Sequence, residues 1–224
     1  MKRLFSILFC IFFLISLTAC NNDADIQETQ PEQPTESAVE KDTLIGTWVC
    51  DDINEDCYFI FDENGDAFAK WGTTTIYGYY DYYDDEDYYE IDIPNFLYND
   101  YKATISGDEM ELESDESSYE FVRATMPEVK IDAPDELKVD KKLIGDWQSE
   151  SSYECYRFND DNTAVITDMM NYATIDCKYS CEDNTITMYY MVTENKNGSR
   201  ELSVEFSSKD EIKIDDYVYE KVSE

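Results

Sequence analysis

Apolar and polar residues alternate in short runs along most of the chain. Tyr101, Ala103 and Ile105 fall on one side and Lys102, Thr104 and Ser106 on the other, while Met110 and Leu112 flank Glu111. Farther on, Leu202, Val204 and Phe206 alternate with Ser203 and Glu205, and Ile212 and Ile214 flank Lys213. A two-residue period marks a strand with one face toward a core and one toward water, and no stretch sustains the 3.6-residue period of a helix. The runs predict strands near 45–51, 56–61, 66–71, 75–83, 88–93, 101–106, 109–113 and 118–123. A second set follows near 144–149, 154–158, 163–168, 172–180, 185–191, 200–207, 210–214 and 217–222. Short strands joined mostly by tight turns predict an all-β, up-and-down meander, and closing it into a barrel removes the exposed edges.

The two sets are copies of one module. Leu44-Ile45-Gly46-Thr47-Trp48 recurs as Leu143-Ile144-Gly145-Asp146-Trp147, and the Phe61-Asp62-Glu63-Asn64-Gly65-Asp66-Ala67 turn as Phe158 to Ala164. Thr75-Ile76 recurs as Thr174-Ile175, Asp108-Glu109-Met110 as Asp210-Glu211-Ile212, and Tyr119-Glu120-Phe121-Val122 as Tyr219-Glu220-Lys221-Val222. Two copies are too few for a solenoid, which needs about three repeats to bury its core. The expectation is therefore two tandem small antiparallel β-barrel or meander domains of about eight short strands each, over 43–124 and 141–224. Residues 125–140, with Pro127 and Pro134, form a linker.

Ahead of the first module lie Met1-Lys2-Arg3, a mostly apolar run from Leu4 to Ala19, and Cys20. The run is shorter than the ~20 residues that span a bilayer and fits the apolar region of a secretory signal. Its end, Leu17-Thr18-Ala19-Cys20, resembles the lipobox of bacterial lipoproteins. The resemblance implies a signal peptide over 1–19, cleavage before Cys20, and a lipid on its thiol. Residues 21–42 are rich in Asn, Gln, Glu, Thr and Pro, a composition that cannot offset the entropy of ordering, and they read as a disordered acidic tether. The expected location is the extracytoplasmic side of the cell membrane, with the lipid as the membrane contact.

Gly46-Thr47-Trp48 and Gly145-Asp146-Trp147, each on the first strand of its module, resemble the Gly-x-Trp signature of lipocalins. The Leu-Ile-Gly-x-Trp opening, the Phe followed by an Asp/Asn/Gly turn and the closing Tyr-Glu are together similar to lipocalin-like domains of bacterial lipoproteins. That family places a basic residue of the last strand over the tryptophan. Aligning the closing Tyr-Glu pairs sets Arg123 against Ser223 and Lys221 against Phe121, so the feature is expected in neither copy consistently.

Charge narrows the partners. With 52 acidic residues against 17 basic ones and a net charge of −35, the surface repels phosphates and anionic headgroups, which excludes nucleic acid. Histidine is absent, and with it the commonest base for a Ser or Cys nucleophile. A non-enzymatic role without cofactor or catalytic residue follows as the expectation.

Three features carry candidate chemistry. Asp62, Asn64 and Asp66 offer oxygens at calcium-like spacing, but the loop lacks the distal Glu of an EF-hand, and Asn64-Gly65 between strands is also a preferred hairpin turn. The hairpin is the expected use, so no metal site is assigned. The run Tyr77 to Tyr89 surrounds Asp84-Asp85-Glu86-Asp87 with tyrosines. Alternation turns Tyr80 and Tyr82 inward with Ile76, and Tyr79 and Tyr83 outward beside Asp84 and Asp85, a candidate patch for stacking on a sugar or a cationic peptide. Among the cysteines, Cys50 and Cys57 fall on inward faces of neighbouring strands and are a candidate disulfide, while Cys177 and Cys181 lie about 13 Å apart on an extended strand at ~3.3 Å per residue.

The sequence thus points to a membrane-anchored interaction module that contacts a cell-surface protein or a glycan. A lipocalin-like carrier of a small hydrophobic ligand and a calcium-responsive surface protein are the alternatives.

Overall fold

The structure, a computed structural model, describes residues 43–222. The signal 1–19, Cys20 and the tether to residue 42 lie outside the described residues, as do 223 and 224. The first copy forms β1 (Gly46–Cys50), β2 (Asn54–Phe61), β3 (Asp66–Trp71), β4 (Thr74–Tyr83), β5 (Tyr88–Ile93), β6 (Leu97–Ser106), β7 (Glu109–Glu113) and β8 (Ser118–Arg123). The second forms β9 (Gly145–Gln148), β10 (Glu154–Phe158), β11 (Thr163–Asp168), β12 (Ala173–Glu182), β13 (Thr185–Thr193), β14 (Lys196–Phe206), β15 (Glu211–Ile214) and β16 (Tyr217–Lys221).

Each copy closes. Successive strands pair antiparallel, and the last returns to the first through Trp48↔Arg123 and Val49↔Val122 in one copy and Lys221↔Trp147 and Glu220↔Gln148 in the other. The all-β, eight-strand reading of each module therefore holds. Two strands run longer than their hydrophobic pattern predicts. Leu97 pairs with Ile93 across the Asn95 turn (φ +68), so β6 starts four residues before Tyr101. Likewise β14 starts at Lys196, because the polar stretch 196–199 completes a hairpin with β13. Backbone pairing extends there past the apolar residues.

The repeated pentapeptide closes each barrel. Leu44 and Leu143 are buried, and their carbonyls accept the indole N–H of Trp48 (2.8 Å) and Trp147 (2.6 Å), both fully buried. The Ile45 carbonyl accepts from Arg123 Nη1 at 3.1 Å and that of Ile144 from Lys221 Nζ at 2.6 Å. These cations stand over the indoles, at 4.1 Å for Arg123 on Trp48 and 5.3 Å for Lys221 on Trp147. Gly46 (φ +143) and Gly145 (φ +135) make room, since a Cβ there would meet Arg123 Nη1 at 2.3 Å and Lys221 Cε at 2.4 Å. The structure thus corrects the alignment of the last strand: Arg123 corresponds to Lys221 and Phe121 to Tyr219, and both copies carry the basic residue. The Tyr-Glu repeat misleads because it is two residues out of step: both tyrosines face inward, but Tyr119 lies four residues before Arg123 and Tyr219 only two before Lys221.

Both interiors are filled. Trp48, Phe59, Phe61, Ile91, Leu97, Leu112 and Phe121 pack the first, and Trp147, Tyr156, Phe158, Tyr179, Met188, Ile212 and Tyr219 the second. Phe61 meets Tyr80 edge-on at 5.5 Å and Phe158 meets Tyr179 at 5.0 Å. Each tyrosine hydroxyl then donates to the first carbonyl of the turn after its phenylalanine, Tyr80 to Asp62 and Tyr179 to Asn159. Ring and hydroxyl are both satisfied, as a buried tyrosine requires.

The barrels also share a ladder that the sequence pattern does not announce. Strand β4 forks, its half Tyr79–Tyr83 pairing with β5 and its half Thr74–Ile76 with Ala173–Ile175 of β12. The pairs are Ile76↔Ala173, Thr75↔Thr174 and Thr74↔Ile175, so the repeated threonines face each other at a pseudo-two-fold. Equivalent bonds flank them, Tyr77 N to Tyr172 O at 2.9 Å and Asp176 N to Thr73 O at 3.0 Å. Thr73, buried, also donates its N–H to the Met191 carbonyl at 3.0 Å and accepts at Oγ1 from the Met191 N–H at 3.2 Å. Ala173 packs into the core of the first barrel. The segment 125–140 forms no helix or strand and lies along the second barrel, where Cys181 N donates to Lys138 O at 2.7 Å and Asn197 Nδ2 to Asp132 Oδ2 at 2.7 Å.

Two substitutions test this account. Gly46→Ala adds both the strain of a glycine-only φ and a clash with Arg123, and is expected to cost about 1–3 kcal/mol in urea unfolding. Gly72→Ala would set a Cβ 2.2 Å from the Met191 carbonyl oxygen, across the junction. It is expected to speed hydrogen exchange at the Tyr77 and Asp176 amides at least tenfold. Gly107→Ala, with similar φ (+62) but nothing within 4 Å of the new Cβ, should leave those amides unchanged.

Candidate functional site

The tyrosine-rich hairpin is where the predicted patch lies. Strand β4 alternates: Tyr79 and Tyr83 turn outward as expected, and Tyr77 and Asp81 share that face. Tyr82 does not turn inward: it is exposed, because the end of the hairpin runs past the rim, where no core remains to cover it. Its ring lies 4.7 Å from that of Tyr89 and its hydroxyl donates to Asp87 Oδ1 at 2.9 Å. Asp84 and Asp85 are exposed in the turn between the strands.

Register then extends the patch across β5 and β6. Tyr79 is opposite Asp92, which is opposite Tyr98. In the next row Asp81 is opposite Glu90, which is opposite Asp100, and beyond that Tyr83 is opposite Tyr88. Rings and carboxylates thus form alternating rows on one outer face. The Tyr83 and Tyr88 rings stack at 4.8 Å with a 15° interplanar angle. Tyr83 donates to Glu90 Oε2 at 3.0 Å and Tyr79 to Oε1 at 3.5 Å. The Glu90 hydrogen bond and charge raise the Tyr83 hydroxyl above its ordinary value, and partial desolvation together with Glu90 and Asp92 raises that of Tyr79. Tyr98, 80% exposed, is the most open ring of the face.

Like charges directly opposite one another on neighbouring strands repel, so the row Asp81, Glu90, Asp100 is unfavourable for the fold. No ion pair among the described residues involves these three or Asp92. The second barrel supplies an internal comparison. There the positions of Tyr77, Tyr79, Asp81 and Tyr83 are Asp176, Lys178, Ser180 and Glu182, and those of Glu90 and Tyr98 are Thr187 and Ser199. Asp92 and Asp100 are matched by Tyr189 and Glu201, so the second copy keeps one acid of the row and has a single tyrosine where the first has a cluster.

The remaining candidates have structural uses. Asp62 Oδ1 accepts from the backbone N–H of Asn64 (2.8 Å) and Asp66 (3.0 Å), which closes the turn. The hairpin differs from the expected form in one respect: Gly65 alone takes positive φ (+87), with Asn162 (φ +67) in its place in the second copy. One left-handed residue after a tight turn suffices for a three-residue loop. Cys50 and Cys57 are both buried in the first core and stand as free thiols. The strand register slips between Val49 and Cys50, so Cys50 lies opposite Asn54 and not opposite Cys57. Cys177 and Cys181 point into the second core from one unbroken strand. Burial pushes Cys57 and Cys177 up to about 12, and thiols held protonated are poor nucleophiles.

An inward ion pair at the mouth of the second barrel is absent from the sequence reading. Glu154 accepts from Arg200 Nη1 at 2.8 Å and from the Tyr156 hydroxyl at 2.5 Å, and Tyr219 donates to Ser152 at 3.0 Å. The signal for it was available: Arg200 shares the parity of Leu202 and Val204, and Glu154 that of Tyr156 and Phe158. Burial pushes the Glu154 carboxyl up, but the hydrogen bonds from Arg200 and Tyr156 outweigh it and hold the group below its ordinary value.

A carboxyl held low by folding stabilises the fold above its unfolded pKa of about 4.3 and loses that effect as pH falls through the lower folded value. Glu154→Gln is therefore expected to lower the urea midpoint at pH 7, and its difference from the parent to shrink by pH 3. No protein-family model matches the chain, and no curated protein matches it.

Proposed function

We propose that the chain is a lipid-anchored extracytoplasmic protein, held to the membrane through Cys20, that acts as a non-enzymatic interaction module and binds through the outer face of β4–β6. The observation that carries this reading is the tyrosine–carboxylate face, present in the first copy and replaced at the equivalent positions of the second except that of Asp100, where Glu201 keeps the acid. Mutually repelling carboxylates work against folding and Tyr98 is largely exposed, so their concentration on one of two otherwise parallel barrels favours use in binding. Filled interiors favour outer surfaces over a carried ligand, since an eight-stranded barrel is just wide enough for its own side chains. The Leu17-Thr18-Ala19-Cys20 resemblance and the tether-like composition of 21–42 support the anchor.

Two measurements on intact cells test the proposal. Cys20→Ala is expected to move the protein from the membrane fraction to the soluble one, and unchanged sedimentation with membranes would remove the anchor. A photo-crosslinking residue at Tyr98 is expected to give a discrete adduct, and the same residue at Ser199, its counterpart in the second barrel, none. Adducts at neither or equally at both would overturn the assigned face, and a bound apolar molecule in native mass spectra would return the carrier reading.

A further inference from the structure

The geometry points to an extended, arginine- or lysine-rich peptide segment as the partner of the β4–β6 face, a reading that rests on that face being the binding surface. Three observations converge on it. The first is charge complementarity at close range: Asp81, Glu90 and Asp100 lie side by side across three strands, with Asp92 in the adjacent row. Neighbouring strands are ~4.8 Å apart, so each carboxylate feels the next, and a cation inserted between them relieves the repulsion of two at once. Along β6 the nearest basic residue is Lys102, which follows Asp100 on the same face and is opposite Glu113 of β7; it forms no ion pair with the row and is one cation against four carboxylates. The row is left for a cation from outside.

The second observation is the rings. Tyr79 and Tyr98 border the carboxylate row on one side, and the Tyr83–Tyr88 stack borders it on the other. A guanidinium laid over a tyrosine ring keeps its N–H edge free, and a carboxylate in the adjacent row is where that edge points. Glu90 already orients two of these rings, since Tyr79 and Tyr83 donate to its two oxygens. This costs the rings little further entropy on binding. A divalent cation alone would use the carboxylates and leave the tyrosines without a role.

The third is spacing. Side chains on one face of a strand repeat every two residues, at about 6.6–6.8 Å, and that is also the separation of the ring row from the carboxylate row along β4 and β5. An extended peptide has the same repeat. Basic residues at alternate positions therefore fall in step with the rows, whereas a single amino acid reaches one row only. The strongly negative chain, at −35, adds long-range attraction that speeds encounter without fixing the site.

The test uses the full lipidated chain in uncharged detergent micelles and an alternating arginine–serine octapeptide as probe, titrated by calorimetry at about 0.15 M salt. Saturable binding of one peptide per chain is expected. Asp100→Asn and Tyr98→Leu should each weaken it at least fivefold, and Glu201→Gln, which removes the same charge at the equivalent position of the second barrel, less than twofold. Equal weakening by Glu201→Gln would mean diffuse attraction to a polyanion and overturn the proposal, as would a neutral Tyr98→Leu or absence of binding. Calcium or a neutral oligosaccharide binding in the peptide's place, with the same sensitivity to Tyr98→Leu, would overturn the peptide while keeping the surface. Loss of the crosslink at Tyr98 on cells is what fails the surface itself.

Discussion

Closure of each barrel depends on one stack, a cation of the last strand laid over the tryptophan of the first. An eight-stranded meander has its weakest joint where the two ends of the chain meet, because that pairing is the least local and the last to be compensated by chain connectivity. In the first copy that joint has only two registered pairs, Trp48↔Arg123 and Val49↔Val122. Side chains make up for the short ladder: the indole is sealed from solvent, its N–H is held by the Leu44 carbonyl, and the guanidinium above it ties β8 to the Ile45 carbonyl. The second copy repeats the arrangement with lysine, whose ammonium makes the corresponding bond to Ile144. A planar fork and a point charge are not equivalent, so the two joints share a geometry without sharing a strength.

With the ends closed, the remaining edges are the places where a barrel opens slightly, and here the two copies use each other. Strand β4 leaves β5 below Tyr79 and β12 leaves β13 below Lys178, and the freed edges pair. Exposed edge groups that would otherwise invite other chains are thereby consumed within the molecule. The same fork places Tyr77, whose hydroxyl lies 3.1 Å from Thr174 Oγ1, at the boundary between the junction and the tyrosine face. Binding surface and junction are thus neighbours along one strand.

The strands were legible in the sequence because burial on one face imposes a two-residue period, and that period needs no knowledge of partners. Their ends were less so at Leu97 and Lys196, where pairing runs on through polar residues that the period does not mark. The pairing of Arg123 with Trp48 was hidden by a repeat, Tyr-Glu, that resembles itself in letters while standing two residues out of step along the last strand. Of the site, the outward tyrosines Tyr79 and Tyr83 followed from alternation. Asp92, Tyr98, Glu90 and Asp100 did not, because they join the face only through the register of β5 and β6, which is a property of turn geometry. The β4–β12 ladder has no local signature at all, since Thr74–Ile76 reads as any strand would.

That ladder is small. It comprises three residue pairs, two flanking bonds, the Thr73–Met191 bonds and the packing of Ala173 into the first core. Residues 125–140 change the terms, because a short tether holds the partner edge at an effective concentration in the millimolar range and makes association a unimolecular event. A small contact is then sufficient to fix an orientation. The duplication, joined by its linker, turns a marginal edge into a permanent one, and leaves each outer surface free to change without regard to the other.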